Sequence, residues 1–200
     1  MEPGEQRTRN IHPGFTGAAE FQSTFRAVLG AMSRPGAILP AGGDLDPPGP
    51  IHPASGAVCL TLLDFETPLW TDLPPDGPAV DWLRFHCGAP RTAAPGDAAF
   101  VLITRVESLC PLDRFHPGEE ERPERGATVL VQVVGMETGA GPILTGPGIE
   151  NAASLRLDGL PPSFWRERAG MNGGFPLGLD FVFTANRRLA ALPRSAHIEV

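Results

Sequence analysis

Two short runs constrain this chain more than anything else in it: Ala98-Ala99-Phe100-Val101-Leu102-Ile103-Thr104 and Thr128-Val129-Leu130-Val131-Gln132-Val133-Val134. Both are nearly unbroken apolar stretches rich in β-branched residues. A strand with one wet face alternates polar and apolar side chains, whereas a strand without that alternation is covered on both sides. Two such strands call for a sheet with a layer on each face, and helices are the usual cover. The flanking sequence supplies them. Phe21, Phe25, Val28, Leu29 and Met32 recur at helical spacing, with Thr16 as the expected N-cap. Arg34-Pro35-Gly36 is the expected stop, because proline pushes the residue before it out of helical geometry. Ala54–Asp64, behind Pro53, predicts a buried helix, and Pro162–Met171 a short amphipathic one on the spacing of Phe164, Trp165 and Ala169. Ala37–Pro40 and Pro68–Thr71 read as short strands. Leu179, Phe181 and Phe183, alternating with Asp180, Val182 and Thr184, predict another. The Pro-rich stretch 41–53 and the charged run Glu119–Arg125 read as loops. The expectation is α/β: a single domain over residues 16–200, three layers α/β/α around a mixed sheet, behind a loose polar arm over residues 1–15.

Composition then removes several classes of function. All 16 basic residues are arginine. A pyridoxal phosphate enzyme needs a lysine amine for its Schiff base, and a P-loop NTPase needs a lysine against its phosphates. Tyrosine is absent as well, which removes a tyrosyl acid or base. Net charge is −7, with the arginines scattered rather than gathered into a stripe, so no nucleic-acid role is expected. No apolar run reaches the roughly 18 residues of a membrane span, and residues 1–6 do not resemble an export signal. The expected address is the cytoplasm. Cys59, Cys87 and Cys110 are odd in number and lack a CxxC pair, which predicts reduced, mostly buried thiols.

The richest local segment is Leu83-Arg84-Phe85-His86-Cys87-Gly88-Ala89-Pro90. As a strand it would set Arg84 and His86 on one face, suited to a phosphate oxygen; as a helix it would point them apart. The plainer reading gives both to a partner's carboxylates or to solvent. Thr145-Gly146-Pro147-Gly148 could cradle an anion, but Pro147 removes a donor and a structural turn is the simpler account. Arg34 and Arg194 are further ligand or interface candidates. Trp70, Trp82 and Trp165 are partner anchors if exposed, core residues otherwise. His86 and Cys87 are adjacent and would face opposite sides of a strand, so they cannot share a proton there. Cys59 or Cys110 with His52, His86 or His116 is the remaining nucleophilic alternative. No motif assigns a catalytic residue, a cofactor or a metal ligand.

Seven segments in order resemble the PhnH family of phosphonate metabolism. They are Phe25–Gly36, Leu60–Asp64 with Glu66–Trp70, Leu83–Pro90, Gly118–Glu120 with Pro123–Arg125, Leu144–Ile149, Phe175–Asp180 and Ala191–Ser195. The resemblance implies an architecture like that of pyridoxal-phosphate-dependent transferases without the cofactor site. It implies a homodimer that joins PhnG, PhnI and PhnJ in the core complex of carbon–phosphorus lyase. That machinery exchanges the adenine of ATP for an alkylphosphonate, giving ribose 1-phosphonate triphosphate, and after trimming to a 5-phosphate cleaves the C–P bond by a radical step. The chemistry is assigned to PhnI and PhnJ. The alternatives are a module that itself binds nucleotide or phosphonate, and a stand-alone Cys/His-dependent hydrolase or transferase.

Overall fold

The structure, a computed structural model, describes residues 11–199. In chain order the elements are α1 (Ala18–Ser33), β1 (Leu39–Pro40), α2 (Pro53–Leu62), β2 (Leu69–Thr71), α3 (Pro78–Cys87), β3 (Phe100–Ile103), β4 (Thr128–Gln132), β5 (Gly135–Thr145), β6 (Ala153–Asp158), α4 (Pro162–Gly170), β7 (Asp180–Ala185), β8 (Arg188–Leu192) and β9 (His197–Glu199). The main sheet runs β1-β8-β7-β4-β3-β2. Strands β2, β3, β4 and β7 are parallel, while β8 lies antiparallel to β7 and to β1, so the sheet is mixed.

Side-chain alternation along the central strands divides the core in two. Leu102, Leu130 and Val182 point to one face, where they join Val28 of α1, Val58 of α2 and Leu83 of α3. Val101, Val129 and Phe181 point to the other, where they meet Phe164 of α4 with Leu144, Leu155 and Ile198. Those last three belong to a second sheet, β6-β5-β9, antiparallel throughout, which forms the third layer together with α4. The two long apolar runs are central because both faces are covered. The same cause buries Val182 and Thr184 of β7.

Helix α1 departs from the sequence expectation in two ways. Its N-cap is Gly17, one residue after Thr16. The Glu20 carboxylate accepts from Thr16 Oγ1 (2.7 Å), the Thr16 N–H (2.6 Å) and the Gly17 N–H (3.1 Å). Those bonds, that from the Thr16 hydroxyl foremost, lower the Glu20 pKa. The buried face is Thr24, Val28 and Ala31, not the row Phe21, Phe25 and Leu29, which lies 43–52% exposed. The stop at Arg34-Pro35-Gly36 is as expected. Gly36 has φ +94°, and a Cβ there would come within 2.9 Å of the Ala153 methyl, so the turn fits only glycine.

The loose arm expected over residues 1–15 lies, for residues 1–10, outside the described residues. Residues 11–15 lie against α3. Ile11 and Phe15 pack on the helical-side core, and Trp82 Nε1 donates to the Pro13 carbonyl at 3.4 Å.

Candidate functional site

The parallel strands end on one edge of the sheet, the edge at which open α/β sheets bind ligands. Here that edge carries a crevice of about 670 Å³. Four distant stretches build it: His52 ahead of α2, Thr104 and Val106 after β3, Gln132–Val134 at the end of β4, and Ala185–Arg188 at the β7–β8 turn.

Gln132, buried, fixes the floor. Its Oε1 accepts the His52 N–H at 2.6 Å, and its Nε2 donates to the carbonyls of Pro50 (2.9 Å) and Thr104 (3.1 Å). One side chain thus joins β4, the chain after β3 and the loop leading into α2. At the end of β2, Asp72 accepts from Thr104 N–H (2.8 Å), Thr104 Oγ1 (2.9 Å) and Arg105 N–H (3.0 Å). The amino end of α2 is closed by the protein itself. Pro53 has no N–H, and the Ala54 N–H donates to the Asn186 carbonyl at 2.9 Å.

The rim is less committed than the floor. Asn186 takes φ +53°, as asparagine tolerates in a two-residue turn, and its N–H reaches His52 Nδ1 at 3.4 Å. Burial lowers the His52 pKa, so the ring is neutral at pH 7. With Nδ1 accepting, the single ring proton sits on Nε2. Arg187 is tied down through one nitrogen: its Nη1 serves the carbonyls of Gly42, Gly43 and Leu45. The Arg188 side chain makes no hydrogen bond or ion pair among the described residues, though its backbone is in β8. Among the described residues that line the crevice none is a carboxylate.

Of the residues singled out in the sequence, His52 lines the crevice; the others described below lie elsewhere and do not converge with it. Leu83–Cys87 is the last part of α3, a helix rather than a strand, so Arg84 and His86 point apart. Arg84 pairs with Asp81 at 3.6 Å, and His86 Nε2 donates to the His12 carbonyl at 3.0 Å. Arg34 is the C-cap of α1 and turns back on it, Nε to the Gly30 carbonyl at 3.4 Å. Arg194 is a clamp. Its Nε and Nη2 bind the Asp180 carboxylate at 3.0 and 2.6 Å, and the rest of the fork takes the carbonyls of Pro123 and Gly126. Gly146–Gly148 is a turn packed on the end of α1, where a Cβ on Gly148 would collide with the Ser33 carbonyl. Trp82 is 1% exposed, and Trp70 and Trp165 are half-buried, so the exposed aromatic surface is phenylalanine instead. Burial pushes the Cys59 thiol well up and the Cys87 thiol up to about 12, and raises Cys110 too; the Cys87 thiol donates to the Cys59 carbonyl. None of the three is a thiolate near neutrality.

Sequence reasoning missed Gln132, Asn186 and Arg188, which are brought together only by tertiary contacts. It also missed Arg168 on α4. This arginine is 1% exposed, and its Nη2 donates to the Pro193 (2.9 Å) and Ala196 (3.0 Å) carbonyls. Its Nε and Nη1 have no partner among the described residues. Burial lowers its pKa to about 10, against a raising influence from Asp180, and it remains charged at pH 7.

Comparison with known proteins joins these features to a family. The chain is 37% identical over 183 residues to the alpha-D-ribose 1-methylphosphonate 5-triphosphate synthase subunit PhnH of Rhizobium meliloti (strain 1021), covering 90% of each chain. It is 34% identical over 179 residues to HtxG of Stutzerimonas stutzeri, a candidate C-P lyase subunit protein, covering 90% of this chain and 86% of the relative. Residues 13–199 match the family described as bacterial phosphonate metabolism protein (PhnH). Nearly the whole described fold is thus shared, and this chain belongs to the PhnH family.

Proposed function

We propose that this chain is a non-autonomous subunit of a carbon–phosphorus lyase assembly, a cytoplasmic homodimer working with PhnG, PhnI and PhnJ. In that assembly alkylphosphonate and ATP are converted to ribose 1-phosphonate triphosphate ahead of C–P bond cleavage. The observation that carries the reading is the 37% identity, over 90% of both chains, to a synthase subunit. The surface supports it. Phe21, Phe25 and Leu29 line the outer side of α1, and Phe65 and Phe85 stand 75% and 67% exposed on the same helical layer. Large exposed apolar side chains on one face are what a subunit buries on assembly. The alternative of a Cys/His hydrolase has no such support, since Cys59 and Cys87 are buried with raised pKa values and the His86 ring is committed to a backbone carbonyl.

The test is co-expression of the tagged chain with PhnG, PhnI and PhnJ, followed by native mass spectrometry. A stoichiometric complex, weakened by Phe25→Glu without loss of the folded chain, is the expected result. A chain recovered without any of the three partners overturns the reading.

A further inference from the structure

The chain carries net charge −7, with 23 acidic residues against 16 arginines, so a surface hollow free of acid is a departure from its average. The crevice at the carboxyl edge of the sheet is such a hollow. His52, Arg187 and Arg188 line it, and among the described residues no Asp or Glu does. By contrast, the hollow at the opposite edge contains Glu66, Asp97 and Glu119. The nearby hollow bearing Arg84 and Arg91 also lacks acids among its lining, but its cations are engaged, Arg84 by Asp81 and Arg91 by the Leu73 carbonyl.

At the crevice the Arg188 guanidinium, the Asn186 carboxamide and Nε2–H of His52 have no partner among the described residues. A guanidinium fork with two neutral donors suits a tetrahedral dianion, which offers three terminal oxygens. Beside them lie Val134, 82% exposed, and the buried Val106 and Val133. A volume of about 670 Å³ is within the range of small-molecule sites and far exceeds one phosphate. Gln132 and Asp72 hold the floor in place, so the site is preformed.

We propose that this crevice binds a small organic molecule through a terminal –PO3 dianion, with Arg188 as the anchoring cation and Val134 against the organic part. The site goes beyond the subunit reading and does not depend on it.

The experiment is an NMR titration of the full chain, following backbone amides, with phenyl phosphate and phenylphosphonate as probes and benzoate as the carboxylate control. Saturable shifts at Val133, Val134, Asn186 and Arg188 are expected with one or both phosphorus probes, and the pair separates ester from phosphonate preference. Arg188→Ala should weaken binding at least about tenfold, as loss of a charge-assisted bond does. Arg188→Lys should fall between the two. Equal affinity for benzoate, shifts confined to other surfaces, or undiminished binding by Arg188→Ala would each overturn the proposal. Native mass spectrometry of Arg188→Ala with the three partners separates the two readings. Full assembly with lost probe binding supports the site. Lost assembly with intact probe binding makes Arg188 an interface residue and removes the site. If the unaltered chain binds the probes but no partner, the subunit reading falls and the site stands.

Discussion

The two ends of one parallel sheet are built on opposite principles. At the amino edge, around Glu66, Asp97, His116 and Glu119, cations meet acceptors. Arg125 and His116 both reach Glu119, at 3.8 and 4.0 Å, and nearby Arg194 grips Asp180 at 2.6 Å. At the carboxyl edge the polar work is done by Gln132 and Asp72 at the floor and by Arg187 on the rim, while the Arg188 guanidinium and the Asn186 carboxamide have no partner among the described residues. The difference teaches that counting arginines at an edge says little. What separates an internal brace from an available cation is whether the protein already answers it.

The largest expected effect tests the floor. Gln132→Leu leaves the His52 N–H and the Pro50 and Thr104 carbonyls without their partner, and should cost about 3–5 kcal/mol in denaturant unfolding. A loss below about 1 kcal/mol would mean that the floor is not rigidly held. Next comes the contrast between edges. Arg194→Ala breaks a half-buried pair and two carbonyl bonds and should cost about 2–3 kcal/mol. Arg188→Ala, with nothing to break, should stay within about 0.5 kcal/mol. Equal costs would dissolve the comparison.

A smaller effect concerns pH. His52 has a folded pKa depressed by burial, so below the ordinary imidazole value of about 6.5 the unfolded chain binds more protons than the folded one. Stability should therefore be flat above that pH, fall as pH drops through it, and level off below the folded pKa. His52→Gln should remove that part of the slope in a pH series of melting curves. The smallest expected change is chemical. A thiol reagent at pH 8 should reach half-buried Cys110 first, with Cys59 and Cys87 labelled only on unfolding. Early labelling of Cys87 would show that α3 opens readily.

How much of this was legible in the sequence varies by element. The strands β3 and β4 were plain because double-sided burial writes an unbroken apolar run. Helix α2 was plain because it is both buried and opened by proline. The second sheet was invisible: β5 contains Gly139, Ala140 and Gly141, with a register shift between Thr138 and Ile143, so neither alternation nor an apolar run marks it. Arg84 and His86 looked like neighbours only under a period of two, and α3 has a period of 3.6. The crevice left no local signal either. His52 and Asn186 are 134 positions apart, and His52 and Gln132 are 80 apart. Arg194 could be picked out as unusual, but its partner Asp180, 14 positions away on the neighbouring strand, could not.

Arg168 changes how the carboxyl-terminal end of the chain should be regarded. The acceptors of its buried guanidinium, Pro193 and Ala196, lie just before β9, and Asn172 pairs with both the N–H and the carbonyl of Ile198. Shortening the protein by eight residues would therefore not resemble the trimming of a frayed tail. It would strand a positive charge inside an apolar core, and a protease or an affinity tag that disturbs this stretch should act on the whole domain as a severe core substitution does.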